Sequence, residues 1–219
     1  MPAPITKTLP IQVHFVRHDW ELQQAAALRL EAYSRHLPGL SPDVGKPDAL
    51  DAHPACKVLV AKDKATGAVI GTMRLYANTH GPLGIEKACP LPEYVTNSLS
   101  IEPTRLAVQA SSLGTLAKTA LFKALYLYCM QEDVQYVVAG ARRPIDRMYE
   151  ALHFKDVYEQ GKTYPYAMNL PHRVLFAHMP SLEPLFDPSG AMYQFVKGTD
   201  HPDIDVTLPQ SISSELLCA

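Results

Sequence analysis

Apolar positions along this chain repeat with two periods, and each change of period marks an element. Residues 11–16 alternate and predict a strand ending near Arg17. Leu22, Ala26, Leu30, Tyr33 and Leu37 then recur at helical spacing, with Asp19 placed to cap the helix and Pro38-Gly39 to stop it. Residues 57–61 and 68–76 predict a hairpin bent at Gly67. Residues 101–108 predict a strand with charged residues at its entrance. The helix after it buries one face through Leu113, Leu116, Ala117, Ala120, Leu121, Ala124, Leu125 and Tyr128. A short buried strand at 135–141 follows, and Pro144 opens a helix in which Ile145, Met148, Tyr149 and Leu152 share a face. Residues 164–170 and 174–177 predict edge strands, Pro165 arguing against a central place for the first.

The connections at 39–55 and 77–100 are rich in proline and long enough to suggest a function. Beyond Pro180 the periodicity fades, and residues 198–219 are expected to pack loosely or wrap the surface. The chain therefore divides into a flexible N-terminus at 1–10, one α/β domain with a mixed sheet at 11–180, and an irregular extension at 181–219 packed on that domain. Its 219 residues suffice for a single sizeable core.

Composition works by exclusion. With 47% hydrophobic and 19% charged residues the chain is an ordinary globular one, and a net charge of -2 gives no reason to expect nucleic acid or an anionic membrane as partner. No apolar run approaches the ~20 residues of a membrane span. No secretory signal is expected in residues 1–10. Cys56, Cys89, Cys129 and Cys218 form no Cys-x-x-Cys pair and the histidines are scattered, so neither a metal site nor a disulfide framework is expected and a cytoplasmic setting fits.

Order of elements points to acyl transfer between residues 101 and 154: strand, small-residue turn, helix, strand, short helix. Such chemistry needs an amine free of its proton, a polarised carbonyl and an acid for the departing thiolate. Glu102 is the acidic candidate, either as a catalytic group acting with Arg105, as a solvated residue at a strand end, or as that arginine's structural partner. Arg74 points away from the face of Met73 and Leu75, to solvent or to the pocket of Arg105. Tyr149 is a candidate acid or, alternatively, a core residue with its hydroxyl satisfied. Arg142, Arg143 and Arg147 form a mixed solvated face with nearby acids, or a docking site for the acidic helix of a carrier protein or for the phosphate of phosphopantetheine.

These residues carry a resemblance. The run from 101 to 154 resembles the GCN5-related N-acetyltransferase (GNAT) superfamily, whose Tyr-x-x-x-Gly-Phe ending is matched by Tyr149 to Phe154 except that His153 holds the glycine position. Three further elements are similar to the long-chain N-acyl amino acid synthases and, more distantly, the acyl-homoserine-lactone autoinducer synthases. They are Arg29-x-x-x-Tyr33, Gly71-Thr72-Met73-Arg74-Leu75 followed by Gly81-Pro82-Leu83, and Glu102-x-x-Arg105-Leu106-Ala107-Val108. The resemblance covers residues 11 to 160.

It implies a central splayed sheet flanked by helices, and an N-acyltransferase moving a fatty acyl group from acyl carrier protein to the α-amine of a small amino acid. Glu102, Arg105 and Tyr149 would be catalytic, Arg74, Thr104 and Arg142 would bind the acceptor, and Leu106, Val108, Ser111, Ser112, Leu113 and Gly114 the donor. No cofactor would be bound permanently, the donor being an acyl-phosphopantetheine. Where acetyl-CoA members carry Gln or Arg, then Gly, then Gly or Ala, this chain has Ser111, Gly114 and Leu116, which suits one phosphate better than a pyrophosphate. The acyl tail is expected between the strands at 106–108 and 136–138, beneath the helix and against Ala117 and Ala120. Three alternatives stay open: an autoinducer synthase using S-adenosylmethionine, a CoA-dependent N-acetyltransferase, and a non-catalytic acyl-binding sensor.

Overall fold

The alternating segments do fold as strands, and the residues they turn to opposite sides build one core on one face of the sheet and two smaller ones on the other. The computed structural model describes residues 5–209. Its strands are β1 (Ile5–Thr6), β2 (Ile11–Phe15), β3 (Cys56–Asp63), β4 (Val69–Ala77), β5 (Ser100–Val108), β6 (Tyr136–Ala141), β7 (Lys155–Asp156), β8 (Thr163–Tyr166), β9 (Leu170–His178), β10 (Thr199–Asp200) and β11 (Ile204–Asp205). The helices are α1 (Asp19–Ser34), α2 (Glu93–Thr96), α3 (Ser112–Gln131), α4 (Ile145–Ala151) and the single turn α5 (Ala191–Tyr193). A nine-stranded mixed sheet runs β11-β2-β3-β4-β5-β6-β9-β7, with β8 also on β9, and β1 pairs separately with β10. No helix among the described residues is long and apolar enough to cross a membrane.

One face of the sheet carries Phe15, Leu59, Met73, Leu75, Ile101 and Val137, packed on Ala117, Ala120, Leu121 and Ala124 of α3. Each large aliphatic side chain buried there contributes about 1.5–3 kcal/mol. A Cβ added at Gly71 of β4 would lie 3.1 Å from that of Ala117, so helix and sheet are in close contact and both Ala117 and Ala120 are fully buried. They fill the core and do not line a groove, contrary to the expectation for the acyl tail. The opposite face holds α1, through Ala25, Leu28 and Ala32, and the connection between β4 and β5, through Leu83, Ile85 and Val95.

Two irregularities in β5 position the site. Its parallel pairing with β6 consists of Ser100 with Tyr136 and Ile101 with Val137, after which the strands part. Meanwhile β6 stays bonded to β9 along all its length and β5 to β4, so a gap opens inside a continuous sheet. The second is a β-bulge: Thr72 faces Ala107 but Arg74 faces Thr104, one residue too many on β5, with Arg105 in a left-handed conformation at φ 55. An extra residue reverses the alternation. Glu102 therefore faces the α1 side, whereas beyond the bulge Leu106 and Val108 pack on the α3 side.

Three expectations need correction. α1 buries Glu21, Ala25, Ala26, Leu28, Arg29 and Ala32, not the stripe through Leu22 and Leu30, because Glu21 and Arg29 find buried ionic partners; Asp19 makes no capping bond, and His18 is the N-cap. β9 is an interior strand, flanked by β6 on one side and by β7 and β8 on the other, while β8 with Pro165 is at the edge. Ile5–Thr6, within the stretch expected to be flexible, pairs in parallel with Thr199–Asp200, and Ile204–Asp205 adds to β2. Two-residue strands are too short to show an alternation. Residues 1–4 and 210–219 lie outside the described residues.

Candidate active site

Glu102 is 1% exposed, on the stretch of β5 that faces the gap from the α1 side. Its Oε1 accepts a hydrogen bond from the Tyr166 hydroxyl at 2.5 Å and its Oε2 one from the Ile85 N–H at 3.2 Å. Burial pushes its carboxyl above the usual glutamate range, and the bonds from Tyr166 and Ile85 and the charge of Arg74 offset that only in part. Tyr166 is itself pushed up, by burial and then by the adjacent carboxylate, and stays a neutral donor. Two glycines make the contact possible. A Cβ at Gly140 would stand 2.8 Å from Cδ1 of the Tyr166 ring, and one at Gly84 would stand 3.1 Å from the hydroxyl and 3.2 Å from Glu102 Oε2.

The expected partnership of Glu102 with Arg105 is absent. Arg105, turned by the bulge, donates to Asp48 Oδ2 at 3.1 Å. Arg74 donates from Nη1 to Asp48 Oδ1 at 2.6 Å and to Asp51 Oδ1 at 3.4 Å, and from Nε to Thr104 Oγ1 at 3.1 Å. Arg74 thus takes the second of its two sequence readings: it turns into the pocket of Arg105. Arg29, from α1, grips both oxygens of Asp51 with one nitrogen, at 3.0 and 2.8 Å, and its Nε and Nη2 are buried with no partner among the described residues. Although burial pushes Asp51 up, the Arg29 hydrogen bond and charge hold it below the usual carboxylate range. Three arginines thus face two aspartates, and Tyr33 beside them donates to the Leu106 carbonyl at 3.3 Å. Sequence reasoning assigned no role to Asp48, Asp51 or Tyr166 and used Arg29 only as part of the resemblance. The one available signal was two aspartates three residues apart in a connection unusually long for its polarity.

At the end of β5, beside β4, lies the start of α3. Ser111 caps it, accepting from the Gly114 N–H at 3.0 Å, and its own N–H bonds the Gln109 carbonyl at 2.9 Å. The chain doubles back so tightly that a Cβ at Gly114 would meet that carbonyl oxygen at 1.9 Å, so the turn requires glycine there. Ser111 and Gly114 are therefore committed to holding the turn. The N–H groups of Ser112 and Leu113, in the first helical turn, have no intrahelical acceptor and remain for an anion. Leu106, Val108 and Leu113 are half-buried apolar neighbours of this turn.

Tyr149 lies on the α3 side, 3% exposed, edge-on to Phe122 at 5.2 Å and to Phe154 at 4.9 Å between ring centroids. Burial first, and the Glu102 charge second, push its phenol well above the ordinary range, so it stays protonated. Arg142 is exposed at the end of β6 and pairs with no carboxylate among the described residues.

A buried carboxylate and a cationic cluster on one side of a parted sheet, with a helix N-terminus and apolar surface on the other, can hold an amine and an acyl thioester toward each other. The solved structure of FeeM, an N-acyl amino acid synthase from uncultured soil microbes, is similar with a TM-score of 0.66 at 13% identity, over 84% of this chain and 96% of that one. BjaI, a CoA-dependent acyl-homoserine lactone synthase, gives 0.61 at 14% over 91% and 95%, and a GNAT-family acetyltransferase from Staphylococcus aureus Mu50 gives 0.52 at 10% over 77% and 99%. Those likenesses establish a GNAT-like fold. No curated protein sequence matches the chain. The model of the N-acyl amino acid synthase FeeM family matches residues 24–178, more than half the chain and all of the parted-sheet site, so this acyltransferase belongs to the FeeM family.

Proposed function

We propose that the chain transfers a fatty acyl group from acyl carrier protein to the α-amine of an amino acid. The observation that carries this reading is the placing of Glu102 at the gap beside a cluster that holds one more arginine than aspartate. A free α-amino acid offers a matching pair of groups: an amine for the buried carboxylate and a carboxylate for the guanidinium groups of Arg105 and Arg74, with Thr104 beside them. Arg142 lies at the end of the gap, within reach of whichever acceptor or donor group projects there.

In the reaction, the amine nitrogen attacks the thioester carbon, a C–N bond forms and the C–S bond breaks. Glu102 accepts the proton the amine loses, and its raised pKa makes it a stronger base than an ordinary glutamate. The bulge leaves the Arg105 peptide outside the ladder, a group available to polarise the thioester carbonyl. Tyr149, held protonated by burial, donates a hydrogen bond to the departing sulfur, which leaves as a thiolate and takes its proton from solvent, while Glu102 returns the amine's proton to solvent. Arg143 and Arg147 are exposed near the mouth of the gap and suit the acidic surface of a carrier protein.

The donor turn supports a carrier-bound substrate, since two free amides at Ser112 and Leu113 match the single phosphate of phosphopantetheine better than a pyrophosphate. Dodecanoyl-carrier protein and dodecanoyl-CoA compared at matched concentrations are expected to differ at least tenfold in kcat/KM in favour of the carrier. Arg147→Glu should reduce that advantage and leave the CoA rate unchanged. Equal rates with both donors would move the protein to the CoA-dependent enzymes.

A further inference from the structure

Between the bulge at Arg105 and the turn at Ser111, β5 has one edge on β4 and the other open, because β6 leaves it after Ile101. Which groups lie on the open edge follows from the ladder. The Gln109 N–H bonds the Ile70 carbonyl of β4, so Val108, the residue before it, turns its N–H and carbonyl the other way, into the gap. Leu106, on the far side of the Ala107 to Thr72 pair, does the same. An open strand edge is a row of unpaired donors and acceptors. Here both carbonyls are already taken: Arg35 Nη2 donates to that of Val108 at 2.8 Å, and the Tyr33 hydroxyl to that of Leu106 at 3.3 Å.

Both side chains come from the end of α1. Arg35 directly follows its last residue, Ser34, and lies at the surface, where Nη1 meets Glu31 at 3.1 Å. The Glu31 side chain is 60% exposed, and an ion pair so placed is worth little. The Val108 carbonyl is therefore what holds the guanidinium across the edge. Neither Arg35 nor Tyr33 takes part in the acyl-transfer steps.

The two covered carbonyls lie between the two ends assigned to the donor, the phosphate at the Ser112 and Leu113 amides and the thioester at the Arg105 peptide. The pantetheine arm joining those ends carries two amide groups, which lose water on entering the gap and need partners there. The nearest partners along that line are the backbone groups of β5 itself, paired as an added strand would pair. One carbonyl edge cannot serve the arm and α1 at the same time.

We propose that Tyr33 and Arg35 form a gate on the open edge of β5, closed in the free protein and displaced by the pantetheine arm of the donor. The inference rests on the acyl-transfer reading and adds a step to it, the release of the end of α1 before the donor is seated. The donor's apparent affinity is then reduced by the fraction of molecules in which the edge is free.

Calorimetric binding of an S-dodecyl phosphopantetheine thioether, which cannot react, to the full chain tests this. Arg35→Ala and Tyr33→Phe should each tighten binding about threefold or more, and Arg35→Ala should leave kcat unchanged. Tyr33→Phe removes no charge, so the same direction in both variants separates a gate from an attraction between Arg35 and phosphate. In the unaltered protein the thioether should slow hydrogen exchange at residues 106–113 and speed it at 35–37, where α1 is released. Unchanged or weaker binding in either variant, or protection of 106–113 without faster exchange at 35–37, overturns the gate and leaves acyl transfer standing. Absence of binding to the unaltered protein overturns the donor reading beneath it. The exchange comparison needs no variant, so a chain that fails to fold does not affect it.

Discussion

Glu102→Gln is expected to lower kcat/KM by about 10²–10⁴-fold while the protein stays folded, because a general base is lost and the shape of the side chain is kept. The amide oxygen can still accept from Tyr166, and although the amide NH2 cannot accept from the Ile85 N–H, the loss of one bond does not unfold the domain. The pH dependence supplies the sign. A carboxylate acts as base only when ionised, and burial has raised its pKa, so the acidic limb of kcat/KM should lie above the ordinary glutamate range and disappear in the glutamine variant. Tyr166→Phe removes a hydrogen bond that favours the ionised form. It should therefore shift the same limb to higher pH, lowering the rate at pH 6 more than at pH 8. A limb at the same pH in wild type and Tyr166→Phe would disconnect Glu102 from proton transfer.

The largest effect on stability is expected at Asp51. Its side chain is fully buried and meets Arg29, also buried, at 2.8 Å, with Arg74 and the Asp48 N–H as further donors. Asp51→Ala leaves the Arg29 charge without its bidentate partner in a place water does not reach. Breaking a buried pair from one side costs about 3–5 kcal/mol, a large part of the stability of a domain this size. Urea unfolding should show the midpoint reduced accordingly, with the Arg29→Met, Asp51→Leu double variant recovering much of the loss. Loss of under 1 kcal/mol in Asp51→Ala would mean that solvent or another group neutralises Arg29.

The sequence was most legible where structure is periodic. The strand, turn and helix of the donor side, residues 101–131, could be read because alternation gives way to a helical repeat at Ser112 and because Gly114 stands at a turn that tolerates nothing larger. Arg74 was legible as to direction, since Met73 and Leu75 claim the other face. The acceptor side was not legible in the same way. Asp48 and Asp51 come from a connection without periodicity, Arg29 interrupts what looks like an apolar stripe, and Tyr166 reaches Glu102 only because β8 folds back over Gly140. Even the Glu102 to Arg105 spacing misleads. One bulged residue turns Arg105 toward Asp48 and leaves Glu102 to Tyr166, and no local pattern announces a bulge at an arginine.

The central claim, acyl transfer to an α-amine at the parted strands, is tested most directly by identifying the product. The purified protein would be incubated with dodecanoyl-carrier protein and a mixture of ¹⁵N-labelled amino acids, and the extract analysed by mass spectrometry alongside the free thiol released. An N-dodecanoyl amino acid retaining the label, formed in proportion to thiol and lost in Glu102→Gln, is the expected result. Thiol released with free dodecanoic acid alone, or no turnover while the donor stays bound, would contradict it.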